Sequence, residues 1–288
     1  MGKKLLWLVL WLSFCQLATA FELYQSRQLD NNLFSFNDDG KRQLIHLTTL
    51  DWQPYVGADM CGLGWVTQVV VHGLMQQGYA AKVEILPWKR AVMMVETGQA
   101  DILFPEYDIG KEADSDIVSG KKRLDLLELS EGFPSGPLMF WKRKDYATAW
   151  NGQYESIKGE RIGVVDGYEN TTEFDMLMKN GFFAISKAPS DLLNLKKLYN
   201  NRVNLIVGDP FVFRHLIHTH FSAQEAEAYL ARLEPLYPVM EEKSLYLAFS
   251  TKKPGYPAIL AGMNEQLKQM ATSGELQKIQ AATERCLP

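Results

Sequence analysis

The sequence predicts an α/β fold built from two successive units of strands and helices. In the stretch Leu86–Phe104, an amphipathic helix is followed by a turn at Gly98 and then by a short apolar strand. Further strands are predicted at Leu44–Leu50 and Lys82–Leu86, so the order strand, helix, strand, helix, strand indicates a parallel sheet with right-handed crossovers. A second unit opens with the strand Ile162–Val165, which follows a charged turn.

Turns and apolar runs set the elements of the first unit. Its predicted strands are Leu44–Leu50, Lys82–Leu86, Asp101–Phe104 and Pro137–Trp141, and its predicted helices run from Trp65 to Gln77 and from Trp88 to Gly98. The acidic stretch Glu106–Lys122 is predicted to be a long loop, a type that is usually functional or mobile. Residues 21–43 are polar and rich in turn-forming residues, which leaves two interpretations, a loosely held arm or a short added strand pair.

The second unit repeats the same order with different lengths. Its predicted elements are strands at Ile162–Val165 and Asn204–Val207 and helices at Thr172–Lys179, Asp191–Tyr199, Phe211–Thr219 and Ala223–Leu230. The chain then returns through a strand at Ser244–Ser250, which the Lys252–Gly255 turn ends. Two closing helices are predicted at Pro257–Met270 and Gly274–Thr283.

The first 20 residues have the pattern of a secretory signal peptide. Lys3 and Lys4 precede the apolar run Leu5–Phe14, which is too short to span a bilayer, and Ala18-Thr19-Ala20 offers the small residues that a signal peptidase needs. We therefore expect cleavage after Ala20. The alternative is an uncleaved membrane anchor; no later segment is long and apolar enough to cross a membrane.

Charge and motifs exclude several classes of function. The signal segment holds two lysines and no acid, so residues 21–288 carry 28 basic and 34 acidic side chains, a net charge of −6. This mildly acidic balance gives no support for binding to nucleic acids or to anionic membranes. The sequence also has no P-loop, no dinucleotide-binding fingerprint and no nucleophile elbow.

Two cysteines remain after the signal peptide is removed. Cys61 and Cys286 form an even pair in an exported protein, which predicts a disulfide between an early loop and the C-terminal tail; two unpaired thiols are the alternative. The triplet His215, His218 and His220 has helical spacing, but no carboxylate or cysteine completes a ligand set. We interpret these histidines as surface residues and predict no metal site and no cofactor.

The chain resembles the periplasmic solute-binding proteins of the polar amino-acid class. The resemblance rests on the order of six motifs behind a signal peptide: Trp52-x-Pro54-Tyr55, LPWKRAVMMVETGQADILF, Arg123 seven residues before Ser130, IKGERIGVVDGY, LIVGD and the closing segment SLYLAFSTKKPGYPAI. It implies the two-lobed periplasmic binding protein-like fold, in which each lobe is a small, mainly parallel sheet flanked by helices and two chain segments form the hinge. Residues 44–140 and 243–288 would form lobe 1, residues 145–238 would form lobe 2, and residues 21–43 an N-terminal arm.

The resemblance also implies a ligand-binding site between the lobes. Trp52 and Trp88 match the aromatic walls, Arg123 matches the arginine that binds a ligand carboxylate, and Asp209 matches the acid that meets a ligand ammonium group. Simpler interpretations stay open: core packing for the two tryptophans, an exposed arginine in a basic turn, and a helix N-cap or a turn residue for Asp209.

Five further candidate site residues depart from the family pattern. Tyr168, Glu169 and Asn170 follow the first strand of the second unit, where relatives commonly carry Thr or Gln, and Glu106 and Tyr107 follow the third strand, where relatives often carry small hydroxyl residues. These departures indicate an altered pocket. Glu169 would meet a cationic group of the ligand or point to solvent.

The function implied by the resemblance is periplasmic binding of a small polar solute, such as an amino acid or a related zwitterion or organic acid, by a monomer. The bound solute would be delivered to the permease of an ABC importer. Two alternatives stay open: a periplasmic sensor that acts in trans on a membrane receptor, and a cleft enzyme such as a dehydratase, in which Glu106 or Glu169 would be the acid.

Overall fold

Three parallel strands form the centre of the first unit in the computed structural model, which describes residues 21–285. They are β3 (Leu44–Thr49), β4 (Ala80–Ile85) and β5 (Ile102–Glu106), with β3 between the other two. The helices α1 (Trp65–Gln76) and α2 (Trp88–Glu96) connect them. This order places the residues that follow β3 and β5 at one edge of the sheet, because the carboxyl ends of parallel strands lie on the same side.

The segment before the first unit extends its sheet. Strands β1 (Arg27–Asp30) and β2 (Leu33–Phe36) form an antiparallel pair, and β2 also pairs with β4. Phe34 and Phe36 are buried in the core. Residues 27–36 thus form the strand pair that was one of the two interpretations of this segment.

The second unit also has three parallel strands. They are β8 (Arg161–Val165), β9 (Ala184–Ala188) and β10 (Leu205–Gly208), with β8 in the middle. The helices that follow or connect them are α3 (Thr172–Lys179), α4 (Asp191–Tyr199), α5 (Pro210–His220) and α6 (Ala223–Arg232). Thr171, Ser190, Asp209 and Ser222 cap the N-termini of these helices with their side-chain oxygens.

Two long strands join the units. Strand β7 (Phe133–Arg143) pairs with β10 and with the first part of β11 (Leu233–Ser250), whereas the last residues of β11 pair with β5 and with the short strand β6 (Leu127–Leu129). The result is one mixed sheet path in the described part of the chain. The sequence predicts only part of each strand, Pro137–Trp141 within β7 and Ser244–Ser250 at the end of β11. In β11, Pro235, Pro238 and a run of charged residues interrupt any alternation of polar and apolar residues.

The chain closes with α7 (Tyr256–Ser273) and α8 (Glu275–Arg285), both of which contact α1. Gly274 lies between them with a φ of 73°, a left-handed conformation that favours glycine at a helix end. No helix among residues 21–285 is long and apolar enough to span a bilayer. The predicted signal peptide and Cys286 lie outside the described residues, so cleavage after Ala20 and pairing of Cys61 with Cys286 stay predictions.

Candidate functional site

A small aromatic and acidic pocket of about 20 Å³ lies where the two units face each other. It is at the sheet edge that the strand order predicts, since Leu50 follows β3, Glu106 ends β5 and Tyr168 follows β8. Its lining consists of four aromatic rings, two carboxylates and three aliphatic residues: Trp52, Trp88, Tyr107, Tyr168, Glu106, Glu169, Leu50, Pro105 and Leu245. Six of the nine predicted ligand-binding residues therefore line this pocket.

The aromatic rings form two edge-to-face pairs. Trp52 and Tyr107 have ring centres 5.9 Å apart at 84°, and Trp88 and Tyr168 have ring centres 5.7 Å apart at the same angle. Trp52 also stacks on Tyr55 at 4.5 Å. Edge-to-face contacts of this kind stabilise rings in fixed orientations, so the walls are preorganised.

Trp88 is positioned by its place in the chain and by a contact between the units. It is the first residue of α2, directly after Pro87, whose φ of −54° suits a helix start. The indole Nε1 donates a hydrogen bond to the carbonyl oxygen of Gly167 at 2.8 Å, and next to it Lys89 forms an ion pair with Asp166 at 2.9 Å. Gly167, with a φ of 84°, has a conformation that few other residues adopt. The two units are therefore held together beside the pocket.

Arg123 lines neither cleft pocket; it lies behind Glu106 and Glu169, and three carboxylates surround it. Its Nε donates to Glu96 at 3.0 Å, its Nη2 to Glu106 at 2.8 Å and its Nη1 to Glu169 at 3.4 Å. The arginine side chain is only 5% exposed, so it is not the exposed arginine that one interpretation expected. Its predicted role as a clamp for a ligand carboxylate stays a prediction, and such a ligand would compete with these three acids.

Burial sets the ionisation of these groups. It raises the pKa of Glu106 to about 6, although the charge of Arg123 pulls that pKa down and the charge of Glu169 adds to the rise. Burial likewise raises the pKa of Glu169, again against Arg123. The pKa of Arg123 is raised because its carboxylate neighbours outweigh the opposite effect of burial. Arg123 therefore stays charged, whereas Glu106 and Glu169 ionise less readily than in water.

A second, outer pocket of about 310 Å³ shares Leu50, Trp52, Trp88 and Tyr168 with the first. It adds two acidic residues, Asp51 and Asp191, to the lining. The Tyr168 hydroxyl donates to Asp191 Oδ2 at 3.3 Å. Burial raises the pKa of Asp191 to about 7, with a further contribution from the charge of Asp209. Acidic side chains thus line both the outer and the inner part of the cleft, with His220 as a basic residue of the outer pocket.

Asn170 and Asp209 line neither cleft pocket. Asn170 is held by Asp175, which accepts hydrogen bonds from its side-chain Nδ2 at 2.7 Å and from its backbone N–H at 2.8 Å. Asp209 caps α5 by accepting from Phe211 N, as one interpretation expected, and it also accepts a hydrogen bond from the Tyr55 hydroxyl at 2.7 Å. A ligand contact for either residue stays a prediction.

Tyr55 links the units through its hydroxyl, which donates to Asp209 and accepts from the backbone N–H of Gly136 at 3.1 Å. We expect Tyr55→Phe to lower the free energy of unfolding by about 1–3 kcal/mol, because a buried N–H and one carboxylate oxygen lose their partner. Urea denaturation measures this loss. Tyr237→Phe, at a tyrosine that is 68% exposed, is the matched control and should leave the stability unchanged. Equal stability of both variants would contradict a structural role for the Tyr55 hydroxyl.

Three residues that shape the site were not predicted as site residues: Glu96, Asp191 and Tyr55. Glu96 falls four residues after Val92 on the apolar face of α2, and a charged residue in such a position is a signal for a buried ion pair. Asp191 follows the helix-capping Ser190, so it is indistinguishable from an ordinary acid in a first helical turn. Tyr55 belongs to the motif that carries the family resemblance, but only the fold shows its partner.

The three histidines of α5 do not form a ligand cluster. His215 Nε2 forms a hydrogen bond with Gln53 Oε1 at 2.7 Å, and His220 Nδ1 forms one with Thr219. Within residues 21–285, no group of three or more His, Cys, Asp or Glu side chains is arranged to hold a metal ion.

Comparison with solved structures identifies the fold. The chain matches a histidine kinase sensor domain described as similar to periplasmic binding proteins, with a TM-score of 0.65 and 15% identity over 85% of this chain and 97% of that one. It matches an ancestral arginine-binding protein bound to arginine with a TM-score of 0.65 and 15% identity over 84% and 98% of the chains. An ArgBP mutant from T. maritima matches with a TM-score of 0.63 and 15% identity over 84% and 95%.

These neighbours are periplasmic binding proteins of the polar amino-acid class and a sensor domain of the same architecture. The chain therefore has the two-lobed periplasmic binding protein-like fold, which confirms the fold that the sequence predicts. No family model and no curated protein matches the sequence.

Proposed function

We propose that this protein binds a small polar solute in the cleft between its two lobes and delivers it to an ABC importer. The observation that carries the proposal is the pocket at the carboxyl ends of the central strands, where two pairs of aromatic rings and buried charged groups from both units meet. Ligands of open α/β folds bind at such strand ends. The solved amino-acid-binding proteins of the same fold support a binding role rather than catalysis.

Binding would be coupled to closure of the lobes. Trp88, Lys89 and Tyr55 of the first unit contact Gly167, Asp166 and Asp209 of the second, and these contacts exist only when the units are close together. A ligand that touches both units stabilises this arrangement by its differential affinity. We propose residues 44–140 and 243–288 as one lobe and residues 145–238 as the other, with β7 and β11 as the hinge.

A periplasmic sensor that acts in trans is the second candidate. It is favoured by the match to a histidine kinase sensor domain, which covers 85% of this chain. Both functions use the same cleft, and they differ in the membrane protein that recognises the closed form. Cross-linking of the liganded protein in membranes distinguishes them, since an importer permease and a signalling receptor are different partners.

We also propose an exported, monomeric protein whose mature chain begins at Phe21 and whose Cys61 is bridged to Cys286. Mass spectrometry of protein purified from the periplasm tests this directly. The expected result is the mass of residues 21–288 less two hydrogens, with one disulfide-linked peptide pair that contains both cysteines. A mass that includes residues 1–20 would contradict cleavage.

The role of the aromatic wall is tested at Tyr168. We expect Tyr168→Ala to weaken solute binding at least tenfold, because the variant loses one wall of the pocket and the edge contact that orients Trp88. Calorimetric titration with the solutes that raise the melting temperature of the wild type measures the effect. Leu193→Ala is the control, because this residue of α4 is 41% exposed and lines neither cleft pocket. Unchanged affinity in Tyr168→Ala would place the binding site elsewhere.

A further inference from the structure

The charge balance of the cleft differs from that of a site for a carboxylate. A guanidinium binds a ligand carboxylate through two parallel N–H groups. In this protein Nε, Nη1 and Nη2 of Arg123 all donate to side chains of the protein itself, and the three acceptors carry more negative charge than the arginine can neutralise. The surroundings of Arg123 are therefore acidic.

Lys243, a second cation near the inner pocket, does not reverse this balance. Lys243 is buried, but its Nζ pairs with Glu241 at 2.8 Å and lies 5.3 Å from the ring centre of Tyr107. Asp191 and Asp51 line the outer pocket without an ion-pair partner among the described residues. A ligand with a negative group would thus enter a site in which acids outnumber bases.

The walls of the pocket suit a positively charged guest. Four aromatic rings line the inner pocket, three of them also line the outer pocket of about 310 Å³, and the faces of tyrosine and tryptophan rings attract cations. Tyr107 is 93% buried, and its ring forms part of this aromatic wall through the edge-to-face contact with Trp52.

We propose that the ligand is an organic cation that carries an amine or guanidinium group and no carboxylate. This inference rests on the proposed solute-binding function and names the class of its solute. The cationic group would lie against Glu106 and Glu169, and the aliphatic part of the ligand would lie between the Trp52–Tyr107 and Trp88–Tyr168 pairs. The bound cation would supply positive charge to the three carboxylates that Arg123 alone does not neutralise.

The ionisation of the cleft supports this assignment. Glu106 faces Arg123 and Glu169, and Glu169 in turn faces Asp116 and Lys243; despite the two bases, burial raises the pKa of both glutamates, that of Glu106 to about 6. A bound cation stabilises the ionised form of each acid, so binding releases the protons that Glu106, with a pKa of about 6, and Glu169 hold at lower pH. Affinity for the cation should therefore fall as the pH is lowered from 8 to 5.

The test compares amines with the amino acids from which they differ only by a carboxylate. The pairs are agmatine with arginine and cadaverine with lysine, titrated calorimetrically into the mature protein at pH 7.5. The expected result is that at least one amine binds ten times or more tightly than its amino acid. If the amino acids bind more tightly, the inference is overturned and solute binding stands; if neither kind binds and no other polar solute does, solute binding itself fails.

A second experiment distinguishes two roles of Glu169. Either its carboxylate binds the cationic group of the ligand, or it occupies the position beside Arg123 that the carboxylate of a bound amino acid would take. Glu169→Gln keeps the size of the side chain and removes its charge. The inference expects this variant to bind the amine at least tenfold more weakly, whereas a gain of affinity for arginine or lysine would overturn it. Glu173→Gln, at an exposed residue of α3 outside both pockets, is the control and should bind like the wild type.

Discussion

Replacing Arg123 with methionine is expected to lower the free energy of unfolding by about 3–5 kcal/mol at pH 8, because the substitution leaves buried carboxylates without their cation. Glu96 and Glu106 are each at most 3% exposed, so water does not solvate their negative charges. Arg123 is the cation that forms ion pairs with both of them and so compensates these charges. The loss should be smaller at pH 5, where Glu106, with a pKa of about 6, is protonated and uncharged. Urea denaturation at the two pH values measures both effects.

The matched control is Arg214→Met on the exposed side of α5, which should change the stability by no more than about 0.5 kcal/mol. The experiment also separates two roles of Arg123. An arginine kept for a ligand carboxylate would be dispensable for folding, and its loss would affect binding alone. A variant as stable as the wild type at both pH values would therefore contradict the structural role that the three contacts indicate.

Asp191→Asn is expected to stabilise the unliganded protein at pH 8 by on the order of 4 kcal/mol. Burial raises the pKa of Asp191 from 3.8 to about 7, so the folded protein binds this proton more tightly than the unfolded chain does. Stability then falls as the pH rises from about 4 to about 7, since the folded state must release a proton that the unfolded chain has already lost. Asparagine keeps the acceptor for the Tyr168 hydroxyl and has no proton to lose.

Chemical denaturation between pH 4 and pH 8 tests this linkage. Near pH 4 the variant and the wild type should be about equally stable, and the difference should open as the pH rises. Asp51→Asn, at an exposed neighbour in the same outer pocket, should follow the wild type throughout. A wild-type profile that does not fall between pH 4 and pH 7, or a variant that follows it in parallel, would show that Asp191 is not the group responsible.

If an organic cation is the ligand, it should reduce the pH dependence of the wild type. A cation in the acidic cleft stabilises the ionised acids and so removes part of the cost of ionising them. Binding and stability are thus linked through the same buried carboxyl groups, and the pH profile with and without agmatine reports on both.

Local sequence patterns were sufficient to predict the alternation of elements. The helix from Trp88 ends in the structure at Glu96, near the predicted turn at Gly98, because its apolar spacing and its proline and glycine boundaries are local properties. The helices Thr172–Lys179 and Asp191–Tyr199 have the predicted bounds, since capping side chains precede both. By contrast, β11 runs from Leu233 to Ser250 through two prolines and several charges, and pairing with β7 and β5, not local preference, makes it a strand.

The candidate site likewise has features that the local sequence predicts and features that depend on tertiary packing. By itself the sequence determined an α/β chain and the aromatic and acidic residues that follow its strands, because composition and periodicity are readable along the chain. An exported-type leader stays a prediction of the same kind. Only the tertiary structure decided that Arg123 is shared by Glu96, Glu106 and Glu169, that Asp209 is engaged by Tyr55, and that Asn170 lies outside the pocket. Partners separated by 17 to 154 residues come together only through the packing of strands and helices, and no local pattern records which acid an arginine will meet.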